Sequence, residues 1–230
     1  MTRLAKKMNH KYFERKGDMV TEKFPHRELV AKRCATLAKT SHLPASKAKL
    51  AHLRANLTKQ PGIDSNITDY TIKDISPYEQ GDEPTESEVA VHLAMTLFAT
   101  HQQSQSESMQ VDGIGFGQAV ATLEARNREG KKVEGTSPER RRFDAAVTST
   151  NLTELAHHLR GLIGQLRAKG IGLDYGLLAG DLYRFQFPSG ADSVRRKWAR
   201  QFYRLESPKA SPTLTDNEDE VSSDSSLQSD

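Results

Sequence analysis

The chain has 230 residues, 33 Lys and Arg against 30 Asp and Glu, and 36% hydrophobic residues, so it is long enough to bury a core but too polar for every segment to join it. A single cysteine, Cys34, excludes an intrachain disulfide and a thiolate zinc cluster; with no signal-peptide core and no apolar run of membrane-spanning length, a cytoplasmic protein without a membrane partner is expected. The net charge of +3 hides a segregation: residues 1–60 sum to +11, 61–135 to −8, 136–205 to +6 and 206–230 to −6, a pattern that points to an anionic partner.

Residues 1–24 are basic, with scattered apolar residues and no sustained period, and read as a flexible arm. From Pro25 to Lys39 the period becomes helical: Val30, Cys34, Leu37 and Ala38 share one face, and Lys32 and Lys39 lie on another. A second helix follows in SKAKLAHLRANL, where Leu50, Leu53 and Leu57 form the buried edge and Arg54 flanks them, its stem packed and its head outward. Residues 61–84 are rich in Asp, Ser, Thr and Pro and read as an acidic surface loop. Thr85 and Glu88 have capping-box spacing ahead of EVAVHLAMTLFATHQQS, a helix apolar on nearly every side that belongs in the middle of a bundle. His92 and His101 are nine residues apart and fall on different faces, so both are expected to be core-edge histidines with a hydrogen bond and not metal ligands.

In GIGFGQAV the spacing of Gly113, Gly115 and Gly117 does not fit a nucleotide-binding GxGxxG, and no strand precedes it; the segment reads as a flexible turn opening a helix near Gly117. Ser137, Pro138 and Glu139 combine an N-cap, an N1 proline and a first-turn acid. That start presents Arg140, Arg141 and Arg142 together, with Phe143 and Val147 inward. Asn151 with Glu154 repeats the cap ahead of an amphipathic helix with Leu152, Leu155, Ala156, Leu159, Leu162, Ile163 and Leu166 on one stripe and Arg160 and Arg167 outside it. Gly170 ends it. Asp174 caps the next helix, with Leu178, Leu182 and Phe185 inward and Asp181 poised to pair with Arg184. In the last helix Val194, Trp198, Phe202 and Leu205 share one sector, with Arg196, Arg200 and Arg204 opposite. The Ser- and Asp-rich remainder, 206–230, is expected to be a disordered acidic tail.

The fold expected is all-α, about eight helices in one or two packed bundles: residues 25–135 as an N-terminal bundle carrying the acidic loop, and 136–205 as a C-terminal bundle with a basic face. No P-loop, HExxH, GxSxG or paired-Cys motif occurs, and nothing around Cys34 resembles a nucleophile's setting, so no enzyme activity, cofactor, metal or small-molecule substrate is expected. Arginine's permanent charge and planar fork of donors suit phosphate. A track of Lys32, Lys39, Arg54, Arg140, Arg141, Arg142, Arg160, Arg167, Arg196 and Arg200 is the candidate nucleic-acid surface, with Tyr175, Tyr183 and Trp198 as possible base-stacking rings, although the sector of Trp198 favours the core.

The words VAVHLAMTLFATHQQS, GIGFGQAV, SPERRRF, NLTELAHHLRGLIGQLRAKGIGLDYGLLAGDLYRFQ and RRKWARQFY, in that order, resemble the CasB family, the small subunit of the type I-E CRISPR Cascade antiviral complex. The resemblance covers roughly residues 26–205 and is most specific over 137–203. It implies a non-catalytic helical protein, present as a pair of copies, lying between the crRNA-bound backbone subunits and the large subunit. It also implies a basic groove that holds the displaced single strand of target DNA and so stabilises the R-loop. Carried over by motif, Arg54 in LAHLR, Arg140 and Arg141 in SPERRRF, and Arg160 in HHLRGL occupy groove positions, whereas Gln118 stands where members often have arginine. Two alternatives remain at this stage: a helical protein–protein adaptor without DNA contact, and a helix-turn-helix regulator, for which only the helices around Gly170 are suited.

Overall fold

The computed structural model describes residues 24–75, 81–129 and 135–204. Nine helices lie among them: α1 (Arg27–Lys39), α2 (Pro44–Ala55), α3 (Thr68–Thr71), α4 (Glu86–His101), α5 (Phe116–Arg128), α6 (Pro138–Thr148), α7 (Leu152–Ala168), α8 (Tyr175–Phe185) and α9 (Pro188–Arg204). The protein is all-α; extended pairing among the described residues is confined to one isolated parallel bridge between Gln110 and Leu173. The arm to residue 23, the acidic tail and Leu205 lie outside the described residues. Phe24, read above as the end of the arm, is buried, with its ring centroid 5.2 Å from that of Tyr183.

Helix starts follow the local chemistry. Thr85 and Glu88 form the reciprocal capping box on α4, and the Ser137 hydroxyl accepts from the Arg140 N–H at 3.0 Å while donating to buried Glu124 at 2.6 Å. Asn151 caps α7 and Asp174 caps α8 in the same way. Helix α4 is the hub: Ala90 to Ala99 are all buried, and α1, α2, α3, α7 and α8 pack around it. Truncating any large member of such a core costs about 2–5 kcal/mol. In front of α4, α1 buries Val30, Cys34, Leu37 and Ala38. The Cys34 Sγ lies 3.7 Å from the Met95 sulfur, and burial pushes its thiol pKa well up, which leaves it inert.

Packing runs across chain order. Helix α8 fits against α4 and α1, α5 against α9, and all the buried apolar residues belong to one continuous core. The approach of α5 to α9 explains Gly117, because a Cβ there would come within 2.2 Å of the Trp198 carbonyl oxygen. The GIGFG segment is thus a close-packing element and not merely a flexible turn. The acidic segment 61–84 is likewise more than a surface loop. It contains α3 and buries Ile67, Thr71 and Ile75, and Arg33 of α1 holds it by donating to the carbonyls of Tyr70 at 3.2 Å and Lys73 at 2.7 Å.

Candidate nucleic-acid interface

The carboxyl end of α4 gathers cations from two neighbouring helices. Arg54 of α2 donates to the Ala99 carbonyl at 3.5 Å, and Arg167 of α7 donates to the Thr100 carbonyl at 3.4 Å and to the Gln103 side chain at 2.8 Å. Both guanidinium groups meet the negative end of the α4 dipole. Partial burial, and then the charge of Arg167, lower the pKa of Arg54. A hollow of about 990 Å³ opens beside Arg54, lined also by Lys39, His42 and Lys47 and by the loop after α4, with Glu107 its one carboxylate. Buried Gln102 shapes that loop by donating to the Gln105 and Glu107 carbonyls at 3.2 and 2.9 Å and accepting from the Met109 N–H at 2.9 Å.

Two of the other candidates continue these cations along their own helices, and together they make a basic cleft group. Arg160 precedes Arg167 by seven residues, about two turns and roughly 10 Å along α7 on nearly the same face. Lys32 stands in the same relation to Lys39 on α1. Arg160 and Lys32 are exposed, and their side chains have no hydrogen bond or ion pair among the described residues.

The remaining candidates lie elsewhere. Arg140 reaches the Tyr203 hydroxyl and stacks its guanidinium over the Tyr203 and Phe202 rings at 4.9 and 5.8 Å. Arg141 is exposed and donates to the Thr136 carbonyl at 3.1 Å, and Arg142 is exposed. Arg196, Arg200 and Arg204 point outward from α9, as the period predicts. Helix α9 packs on α5, α6 and α8, and neither α2 nor α7 is among its main neighbours. The ten candidates therefore divide into a cleft group (Lys32, Lys39, Arg54, Arg160, Arg167) and an α6–α9 group (Arg140, Arg141, Arg142, Arg196, Arg200). His42 and Lys47 were not among them; the polar run QQSQSES after an apolar helix is the only sequence trace of the hollow they line.

The three candidate stacking rings are all inside. Tyr175 is fully buried, its hydroxyl 2.9 Å from the His101 Nδ1. Tyr183 packs between Phe24 and Phe187. Trp198 is fully buried and donates its indole N–H to buried Asp181 at 2.8 Å. Asp181 pairs with Arg184 at 3.8 Å as expected, and Lys197 holds it more closely at 2.7 Å. Asp174 accepts from the N–H groups of Leu177 and Gly113 and from Arg27; burial acts to raise its pKa, and these donors hold it below the ordinary value. Helix α8 leaves only Leu177 and Arg184 partly accessible, so it cannot serve as a recognition helix, and the helix-turn-helix alternative is excluded. Both core histidines carry a hydrogen bond, His92 to the Asn56 carbonyl at 2.9 Å and His101 to Tyr175. Among the described residues no three His, Cys, Asp or Glu side chains cluster as metal ligands, and no helix is long and apolar enough to cross a membrane.

Residues 49–203 match the family described as CRISPR-associated protein Cse2. Among solved structures, the crystal structure of CasB from Thermobifida fusca is similar at 31% identity and a TM-score of 0.61, over 79% of this chain and 99% of that one. CasB from Thermus thermophilus shares the fold at 22% identity and a TM-score of 0.53, over 76% and 97% of the two chains. No curated protein matches the sequence. A family match over most of the helical core, together with a solved relative covered along nearly its whole length, means that this chain belongs to the CRISPR-associated Cse2 (CasB) family.

Proposed function

We propose that, within the CRISPR Cascade complex its family membership implies, the chain is a non-catalytic small subunit that holds the displaced single strand of target DNA in a basic cleft running from the hollow beside Arg54 to Arg167 and Arg160 on α7. Its partners in this reading are the backbone and large subunits, a second copy of itself and the crRNA-guided duplex, in the cytoplasm. The observation that carries the reading is the convergence of Arg54 and Arg167 on the carboxyl end of α4. Two like charges are held near one another there, beside an open hollow lined by further cations, and a phosphate placed between them would relieve the repulsion. Strand exchange in an R-loop is close to energy-neutral, so modest backbone contacts are enough to tip it.

Replacing Arg54, Arg160 and Arg167 together by alanine should leave folding and assembly intact, weaken R-loop formation and flatten its salt dependence. The corresponding Arg140, Arg141 and Arg160 variant measures how far the α6–α9 group shares the task. Gel-shift titration at two ionic strengths decides both, and affinity unchanged in the two variants would refute the groove and leave a protein–protein adaptor as the reading.

A further inference from the structure

A second hollow, of about 500 Å³, lies where the turn after α2, helix α4 and the first turns of α7 meet. Leu57, Leu93 and Ala156 supply apolar wall, and Lys59, His157 and Arg160 also line it, with no carboxylate among the lining residues. His92 belongs to the same lining and is only 4% exposed. Its Nε2 lies 2.9 Å from the Asn56 carbonyl oxygen, which can only accept, so Nε2 carries the proton and Nδ1 keeps a lone pair that meets no donor among the described residues. Burial lowers the imidazole pKa and keeps the ring neutral. The hollow is therefore apolar and uncharged within and cationic around Arg160, a pairing that suits a flat heteroaromatic ring joined to an anion.

We infer that this hollow receives a nucleobase turned out of the single strand that passes over Arg160 and Arg167, with its face against Leu57, Leu93 and Ala156 and its phosphate at Lys59 and Arg160. The inference rests on the cleft being the strand site, with which it shares Arg160. Helix α7 between the two sites is bare: a Cβ added at Gly161 or Gly164 would meet nothing within 4 Å. No packing inside the chain calls for glycine at either position, although glycine weakens a helix interior. A strand backbone can approach α7 closely there. A base removed from water onto an apolar wall adds affinity without sequence preference, as a subunit that must accept any displaced strand requires.

The test titrates the full chain with a fluorescently labelled single-stranded oligonucleotide and with the same strand carrying abasic sites in place of several bases, so that the phosphate charge is unchanged. The abasic strand should bind about tenfold more weakly with the same salt slope. Ala156→Phe, which fills the hollow, should weaken the intact strand by a similar factor and erase the difference between the two. Equal affinities for the two strands in the unaltered chain, with salt dependence preserved, overturn the base pocket and leave the cleft standing. Salt-dependent binding of neither strand overturns both. A third result also overturns the inference: Ala156→Phe blocks association with the other Cascade subunits while leaving both strand affinities unchanged, which makes the hollow a seat for a partner's apolar side chain. Should that variant fail to fold, the comparison of intact and abasic strands on the unaltered chain still decides.

Discussion

Helices α7 and α9 both carry rows of arginine, but they use them differently. On α9 the charges divide by face. Arg195 turns inward and donates to the Val147 and Ser149 carbonyls at 3.0 and 2.6 Å, and Lys197 pairs with Asp181. Arg196 and Arg200 stand in solvent. On α7, Arg160 and Arg167 run along one edge toward the end of α4, where the charge of Arg167 is felt at Arg54 and a hollow opens beside Arg54. An arginine on a convex face is well hydrated and costs little, so its presence says little about a ligand. Like charges brought together beside a hollow are unfavourable until an anion arrives, so the cleft carries more functional information than the longer row on α9.

The largest effect tests the inner face of α9. Asp181→Leu leaves the buried Trp198 indole N–H and Lys197 without their shared acceptor, and should lower stability by about 3–5 kcal/mol in urea unfolding; a loss near zero would mean that α9 does not depend on its buried charge. Next comes pH. Burial, opposed by a hydrogen bond to the Ile171 backbone and reinforced by the Arg167 charge, lowers the His101 pKa from 6.5 to about 4. The unfolded chain therefore binds the proton first, and the stability present above pH 6.5 should fall by up to about 3 kcal/mol as the pH drops toward 4. In Arg167→Ala the folded pKa moves back toward 6.5, so that acid loss should shrink. An unchanged pH profile would separate His101 from the cleft.

The cleft variant lacking Arg54, Arg160 and Arg167 should lose strand affinity by roughly a hundredfold at low salt, with the salt slope reduced by about 2 for three phosphate contacts. The smallest effect sharpens the contrast most: Arg196→Ala with Arg200→Ala should change affinity by no more than about threefold in the same titration. A larger drop would place the strand on α9 instead.

What the sequence discloses and what it hides divide by distance along the chain. The caps at Thr85, Ser137, Asn151 and Asp174 are legible because donor and acceptor lie within three residues. The central place of α4 follows from its apolar surround, and the buried stripes of α1, α7 and α9 from a period of 3.6. The partners of Asp181 were legible only in part: Arg184, one turn away, pairs with it as expected, whereas the closer Lys197 and Trp198 arrive from the next helix. The rings of Tyr175 and Tyr183 look available because α8 shows one clear stripe, but α1, α4 and α9 cover it on several sides. The cleft itself belongs to no single segment. Lys39, Arg54 and Arg167 stand on three different helices, and only the packing of α1, α2 and α7 around α4 puts Lys39 and Arg54 on one hollow with Arg167 close by.

The seat of α1 has a practical consequence for fragments of this protein. The family match begins at residue 49, within α2, yet the core begins at Phe24, and α1 supplies Val30, Cys34 and Leu37 to the surfaces of α4 and α8. A fragment cut to the matching region would leave the hub helix with a wet apolar flank and without Lys39 at the rim of the hollow. The limit of recognisable kinship lies inside the cooperative unit, and expression boundaries should follow the buried phenylalanine rather than the alignment.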